Sequence, residues 1–475
     1  MAYIQIPYIS GQYSGLSNEL LLTPDKHKVI YNGSFNNFGK WEARAGNTKI
    51  SDVGSGNLLG MHDASFSDGT HVHIGHNTTK VYNLQSGAQL GSATWTTGLT
   101  TEYANFLNLV FVVNGTDAMS TITSTGTKVT TTNVTSAPVS NYIVRHGSRL
   151  WTNDTTNLRR VHRSSVPTSG AITWDTSLEF FDVDSSGDKV TGIHSARNTV
   201  MAFTNIDVEI RYFTRARLGV LTGVGTLSHR SIITKQGTTY WSHPDKDAGF
   251  AGIYAYNGTG ADEAKLVSSP IQDVFDAMTD TQWDNIVAWE EGSSLVFYLG
   301  GDVSMDYGTV NAVSLNLKNN GWSTHYYPYT ILCAGTFLNS TSLTTESYIG
   351  DDAATTYSRT GTRDEKQAGG AYFDIESFWE SHSIYDREDP FQYNHFDTIS
   401  VKGDAMGNTN IISQGSQDTE PFESPLKQTY QAEDIWDAPL DANGSAVTVK
   451  QTMNGRTGQS VKGYRISYTK SGDPN

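Results

Sequence analysis

His71, His73 and His76 stand in a His-X-His-X-X-His run. On a β-strand, residues 71 and 73 project to one face, so two imidazoles could meet a metal there. His62 or Asp63 on a neighbouring strand would add a third ligand. The plainer reading is a pair of half-exposed histidines on a sheet. Asp182-Val-Asp184-Ser-Ser-Gly187-Asp188 opens like a calcium loop. The twelfth position of such a loop needs a bidentate acid and here is Ile193, so the segment reads as a hairpin turn. Glu290-Glu291, Asp351-Asp352 and the group Asp386, Glu388 and Asp389 supply carboxylates. Glycoside hydrolysis needs two of them facing across a cleft, at about 5 Å or about 6.5–9.5 Å, and spacing in sequence does not give that distance. Trp241, Trp283, Trp289, Trp322 and Tyr326-Tyr-Pro-Tyr329 suit either sugar stacking or a sheet core. The chain has no Gly-X-Ser-X-Gly elbow, phosphate loop or His-Glu-X-X-His motif, and no Ser-Asp-X-Gly-X-X-Trp box. The sequence therefore assigns no catalytic, cofactor-binding or metal-binding residue, and the expectation is a protein that is not an enzyme.

Whatever those side chains do, strands must hold them. Gly, Ser, Thr and Asn are abundant, with 24 Tyr and 10 Trp, and only 17% of residues are charged. Thr and aromatic residues fit a pleated, half-buried surface, and Gly and Asn supply the positive φ of tight hairpins. One pattern recurs: a β-branched or aromatic run, a polar turn, then a second run. Val72, Phe111, Trp151, Met201, Tyr240, Val296 and Tyr348 mark its copies, at steps of 39, 40, 50, 39, 56 and 52 residues. A four-stranded propeller blade takes roughly 40–50 residues. A weaker apolar strand precedes many copies, as in Leu58–Met61, Asn141–Val144, Val190–Ile193 and Asn285–Ala288. The pattern predicts an all-β chain, a β-propeller of six or seven blades, with a string of β-sandwich domains as the alternative. Unequal steps are read as loop insertions.

Residues 1–50 hold no complete copy and read as a lead-in segment that pairs with the last blade and seals the ring. Residues 51–375 carry the propeller. Beyond the change of pattern, 376–475 form a small C-terminal β domain or ring-closing strands, with Ser416–Ala442 as a long loop. The single cysteine, Cys333, lies in an apolar stretch and reads as a small buried hydrophobe. The net charge is −16, which disfavours gripping nucleic acid, since that requires Lys and Arg to neutralise phosphates. The most apolar stretch, Leu107–Val113, is strand-sized and far short of the roughly 20 residues that cross a bilayer. No secretion signal is visible after Met1, so synthesis in a cytosol is expected.

One stretch carries a family resemblance. Arg197-Asn-Thr-Val-Met-Ala-Phe-Thr-Asn-Ile-Asp-Val-Glu-Ile-Arg211 leads into a Gly-rich passage with Gly219, Gly223 and Gly225. Ser231-Ile-Ile-Thr-Lys-Gln-Gly-Thr-Thr-Tyr-Trp241 follows, then Gly249-Phe-Ala-Gly-Ile-Tyr-Ala-Tyr-Asn-Gly258 and Leu266-Val-Ser-Ser-Pro-Ile-Gln-Asp273. This order resembles the packaged-DNA stabilisation proteins, or tail hub and nozzle proteins, of short-tailed bacteriophages. Asn36–Gly46, Phe396–Gly403 and Gly463–Ser467 add to the likeness, which touches about half the chain. The resemblance implies a structural virion protein in the tail, forming a homo-oligomeric, hexameric ring below the portal and adaptor proteins. Such a ring extends the DNA channel, retains packaged DNA and carries tailspike, fibre or needle proteins. DNA would pass through the lumen without sequence-specific binding. No catalytic residue or cofactor comes with the family. The alternatives are a carbohydrate-binding or carbohydrate-hydrolysing propeller and a receptor-binding tail fibre component.

Overall fold

Runs such as Leu109-Val-Phe-Val-Val113 and Val200-Met-Ala-Phe203 are apolar at every position, whereas a sheet with one wet face would alternate. Each such strand must therefore be covered on both sides. A computed structural model describes residues 2–6, 11–12, 26–35, 41–184, 189–245, 251–258, 263–339, 344–361, 364–365, 372–373, 375–381, 384–385, 394–403, 410–417, 426–429, 435–444, 446–454 and 460–470. In it, seven antiparallel sheets follow one another along the chain as the blades of a β-propeller.

Blade 1 holds Leu58–Ser65, His71–Asn77 and Lys80–Asn83. Blade 2 holds Glu102–Phe106, Leu109–Val113, Ser120–Ile122 and Lys128–Val129. Blade 3 is Ile143–His146, Arg149–Asn153, Arg160–Arg163 and Phe180–Asp182. Blade 4 is Val190–Ala196, Thr199–Thr204, Val208–Tyr212 and Arg217–Leu221. Blade 5 comprises Ile233–Lys235, Thr238–His243, Gly252–Tyr256 and Lys265–Leu266. Blade 6 comprises Val287–Glu291, Ser294–Met305, Gly308–Asn316 and Gly321–His325. Blade 7 takes Ile331–Leu338, Thr345–Asp351 and Thr355–Gly361 from its own stretch of chain. Its outermost strand is Gly46–Asp52, paired antiparallel with Thr355–Gly361. All seven repeat landmarks fall on the second strand of a blade, so the blade number is seven.

Period two splits each second strand between two neighbours. Val110 and Val112 pack toward blade 1 with Ile74 and Val81, while Phe111 and Val113 pack toward blade 3 with Ile143 and Leu150. Val200 and Ala202 join Trp151 and Val161 of blade 3, and Met201 and Phe203 join Trp241 and Tyr254 of blade 5. Trp289, Val296 and Tyr298 meet Ile331, Ile349 and Tyr357 between blades 6 and 7. Leu58 and Leu84 meet Cys333, Phe337 and Tyr348 between blades 7 and 1. Every junction thus has an apolar cluster, at about 1.5–3 kcal/mol per fully buried large side chain. The ring is closed.

The unequal repeat steps have local causes. Between blades 5 and 6 lie two short helices, α1 (Gln272–Asp276) and α2 (Asp280–Trp283), a departure from an all-strand reading. Thr279 and Gln282 form a capping box on α2. Val274, Phe275, Met278 and Trp283 from this insert fill the junction. In blade 3, Ile172 and Trp174 fold back from the long connection onto the cluster shared with blade 2.

The outer strand of blade 6 does not end its sheet. It pairs with Gly11–Gln12 and Lys26–Tyr31, and the sheet runs on through Glu376–Ser381, Ala446–Asn454, Asn410–Gln417 and Leu426–Thr429. A second sheet joins Gly33–Phe35, Trp41–Ala43, Ser460–Lys470, Asn394–Gly403 and Ile435–Gly444, with Ala2–Ile6 on Ser460–Lys470. Strands from both ends of the chain thus share these two sheets. Ser416–Ala442 is not one long loop, because Leu426–Thr429 and much of Ile435–Gly444 fall within it. Partner strands override its polar composition.

A buried ionic latch holds the ring-closing strand. Arg44, just before Gly46–Asp52, forms an ion pair with Asp364, their side chains 4% and 2% exposed. The guanidinium also donates to Asn32 Oδ1 at 3.1 Å and the Tyr326 carbonyl at 2.7 Å. Asp364 further accepts from the backbone and side chain of Asn47 at 3.1 and 2.9 Å. Beside it Arg359 grips both oxygens of Glu291, at 2.9 and 2.6 Å. Both guanidinium groups lie over the Tyr327 ring, Arg44 at 4.5 Å and Arg359 at 5.1 Å from its centroid. Removing one partner of such a pair strands the other charge and costs about 3–5 kcal/mol. Asp364→Leu should therefore destabilise by that amount in denaturant unfolding, and Arg44→Met/Asp364→Leu by clearly less. Equal losses would contradict the latch.

Candidate functional site

Among the described residues, a polar constellation that touches most of the ring is the connector between blades 4 and 5. The turn His229–Ser231 leaves blade 4 and reaches the axis. His229 Nε2 lies 3.7 Å from Glu102 Oε2 of blade 2, and its ring centroid lies 4.6 Å from that of Tyr142 at the start of blade 3. Arg230 donates to the carbonyl of Leu332 in blade 7. Ser228 donates to the Ile286 carbonyl at the start of blade 6, at 2.7 Å. Such contacts with blades on all sides are possible only on the axis, at the end where the inner strands begin. Gly192 in the inner strand of blade 4 makes room. A Cβ there would sit 2.7 Å from Ile232 Cδ1 and 3.2 Å from His229 Nδ1. On the same wall, His194 Nε2 and Thr234 Oγ1 are 2.7 Å apart, joining blades 4 and 5.

Burial sets the protonation of this cluster. It pushes the Glu102 carboxyl up to about 7, against a smaller opposing pull from Arg230. It drives His229 down to about 3, helped by His194 and Arg230, and His194 down to about 4. Tyr142 rises to about 12, mainly by burial. Near neutral pH the axis therefore holds a carboxyl that can give or take a proton, a neutral imidazole and a guanidinium.

The side chains singled out in the sequence lie elsewhere. His73 Nε2 is 3.0 Å from the Leu338 carbonyl, with its ring 4.8 Å from Phe337. His76, on the opposite face of the strand, is buried against Thr101 and Trp95. His71 stands 3.9 Å from Asp63, whose other oxygen accepts from the Leu338 amide at 3.0 Å. The His62 ring centroid lies 5.5 Å from that of Tyr103. Among the described residues no group of three His, Cys, Asp or Glu is placed to hold a metal ion. Asp182 is paired with Arg160, and Asp184 with Arg217 at 3.3 Å; Gly187 and Asp188 lie outside the described residues. Glu290 is paired with Lys235, and Asp351 caps a turn through the amides of Ala353 and Thr355. Asp386, Glu388 and Asp389 lie outside the described residues.

Trp241, Trp283, Trp289 and Trp322 are all fully or almost fully buried between blades, and Tyr327 and Tyr329 are buried as well. They are core, not a sugar-stacking surface. Cys333 is buried and its thiol is pushed up to about 12. Beside the latch a polar recess of about 480 Å³ is lined by Glu42, Arg44, Glu291, Ser314, His325 and Arg359 among others. His325 shares its Nε2 with Ser314 and Ser323 at 2.8 and 3.2 Å and is held neutral by burial and the two arginines. Nothing local in the sequence marks Glu102, Tyr142 or the pair His229-Arg230, because they come from three separate stretches of chain.

No protein-family model matches the sequence, and no curated protein matches it. Among solved structures it is similar to the extracellular domain of a putative one-component system from B. thetaiotaomicron, at 9% identity and a TM-score of 0.41. That match covers 90% of this chain and 63% of the other, so this chain spans under two thirds of its length. BamB from Moraxella catarrhalis matches at 10% identity and 0.37, over 85% and 99% of the two chains. The WD40 domain of Pan2 from Neurospora crassa matches at 9% and 0.39, over 66% and 94%. The blade count rests on strand pairing. Among the described residues no helix is long and apolar enough to cross a membrane.

The axial cluster, together with buried His76 of blade 1, makes two pH windows. An acid raised from 4.5 to about 7 in the folded state is penalised progressively as pH rises from 4.5 to 7, where only the unfolded chain ionises it, and the penalty is complete above 7. Glu102→Gln should therefore raise stability by about 1–3 kcal/mol at pH 8 and by much less at pH 5. An equal effect at both would contradict a desolvated Glu102. Histidines depressed to about 4 and 3 act below 6.5, where the unfolded chain takes up protons that folded His76, His194 and His229 refuse. Urea unfolding should lose stability from pH 6.5 toward 4, by up to about 1.4 kcal/mol per pH unit for each histidine. A flat profile would contradict their burial.

Proposed function

We propose that this chain is a structural subunit of a short-tailed bacteriophage tail, a member of a hub or nozzle ring below the portal and its adaptor. Its copies extend the channel for DNA, retain packaged DNA and carry tailspike, fibre or needle proteins. The observation that carries this reading is the sheet that runs unbroken from blade 6 through strands of both chain ends. Hydrogen-bonded strands transmit load without a hinge, as a part standing between a pressurised capsid and a host surface requires. The motif order between Arg197 and Asp273 supports the same reading. So does the net charge of −16, since an acidic wall repels DNA and lets it slide. Burial of the four tryptophans withdraws those rings from any sugar-stacking surface.

Electron microscopy of negatively stained assemblies, from the chain mixed with a portal–adaptor complex, tests the proposal. Six-fold rings on that complex are expected. Trimers would favour a fibre component, and a chain that stays monomeric and adds nothing to the complex would overturn the reading.

A further inference from the structure

Large exposed apolar side chains are unevenly spread. Among the described residues they are Leu158, Val166, Leu178, Ile206, Tyr212 and Phe213 in blades 3 and 4, and otherwise only Tyr372 and Phe373. Leu178 and Phe213 are 69% and 56% exposed. They are held in place by arginines. Arg163 Nη1 donates to the Phe213 carbonyl at 2.5 Å, and Arg215 Nη1 donates to the carbonyls of Leu178 and Phe180 at 2.5 and 3.0 Å. The Tyr212–Arg217 turn of blade 4 is thereby clipped to the approach to the outer strand of blade 3. Exposed aromatic rings beside arginine are the composition of interface centres.

Charge divides along the same line. Residues 141–240, which hold blades 3 and 4 and the start of blade 5, carry 12 Lys and Arg against 8 Asp and Glu. Residues 241–360, which complete blade 5 and form blades 6 and 7, carry 4 against 15. Exposed acids there include Asp276, Asp280 and Asp284 around the helical insert, and Asp302 and Asp306 on the long hairpin of blade 6. Strand direction fixes the ends. Inner strands begin beside the axial turn, so the connections between blades, and those between second and third strands, lie at that end of the ring. Turns between third and fourth strands lie at the other. The acidic group therefore sits at the axial-turn end of the ring, with Leu158 and Ile206 in second-to-third turns at that same end, whereas Val166, Leu178, Tyr212 and Phe213 with their arginines form a patch at the opposite end on other blades.

We infer that the patch around Leu178, Tyr212, Phe213 and Arg215 docks a second copy of this chain, on the acidic end of its blades 5 and 6. The two surfaces differ in chemistry and lie at opposite ends, so the contact is head-to-tail and repeats from copy to copy, as a closed ring requires. The inference rests on the ring reading above and names the faces that build it.

Two variants test it. Phe213→Asp/Arg215→Glu spoils the patch and leaves the acidic end, and Asp284→Lys/Asp306→Lys does the reverse. Far-ultraviolet circular dichroism and melting temperature check that both fold as the parent does. Sedimentation velocity at low salt should give oligomers for the parent. Each variant alone should associate roughly thirty-fold more weakly or worse, the size of a central interface loss. Their mixture should double the mass to a one-to-one dimer that grows no further, because one intact face of each kind remains. Parent-like oligomers from either variant alone would overturn the inference while leaving the ring reading standing, as would a mixture that fails to pair while the parent assembles. A parent that never self-associates, alone or on a portal–adaptor complex, would remove both.

Discussion

A strand that is apolar at every position has two faces to cover and only one blade to sit in. That constraint organises this molecule. Leu109–Val113, Val200–Phe203 and Leu295–Leu299 each give alternate side chains to the blade before and the blade after. A blade at the end of an open row would leave one such face wet, so the row closes on itself. Closure is non-covalent: Gly46–Asp52 completes blade 7, and Arg44 and Arg359, with the carboxylates of Asp364 and Glu291, fix the chain on either side of it. The closure is thus backed by one fully buried ion pair, Arg44–Asp364, and one partly buried, Arg359–Glu291, and the value of the buried one depends on both partners being present.

The same closure creates an axis that a seven-blade ring does not fill with apolar side chains. Here the connector between blades 4 and 5 enters it and meets Glu102, Tyr142, Leu332 and Ile286 from four other blades. Burial keeps His229 neutral and brings Glu102 close to half-protonated at neutral pH, so the axis carries little net negative charge despite an acidic chain. The rim behaves differently. It continues as sheet from blade 6 into strands of both termini, so the ring and its extension share one hydrogen-bonded framework.

Much of the propeller was legible in the sequence because its signals are local. An apolar run, a polar turn and a second run repeat with little dependence on distant residues, and every landmark from Val72 to Tyr348 lies on a second strand. The helical insert at 272–283 escaped notice because Val274, Phe275, Met278 and Trp283 pack as a short irregular block, too brief for a 3.6-residue period to register. The latch and the axial cluster were illegible for another reason. Arg44 and Asp364, or Glu102 and His229, are ordinary residues in their own neighbourhoods and meet only once the ring has closed. Conversely, His71, His73 and His76 looked like a unit because they are adjacent in sequence. The strand sends His73 and His76 to opposite faces, against different blades.

Native-state hydrogen exchange across the closing strand tests the closed ring most directly. Amides of Gly46–Asp52 should be protected and should open together with Thr345–Asp351 and Thr355–Gly361, in one unit with the other blades. Rapid exchange of Gly46–Asp52 while Thr345–Asp351 stays protected would mean that the ring is not sealed by the N-terminal strand.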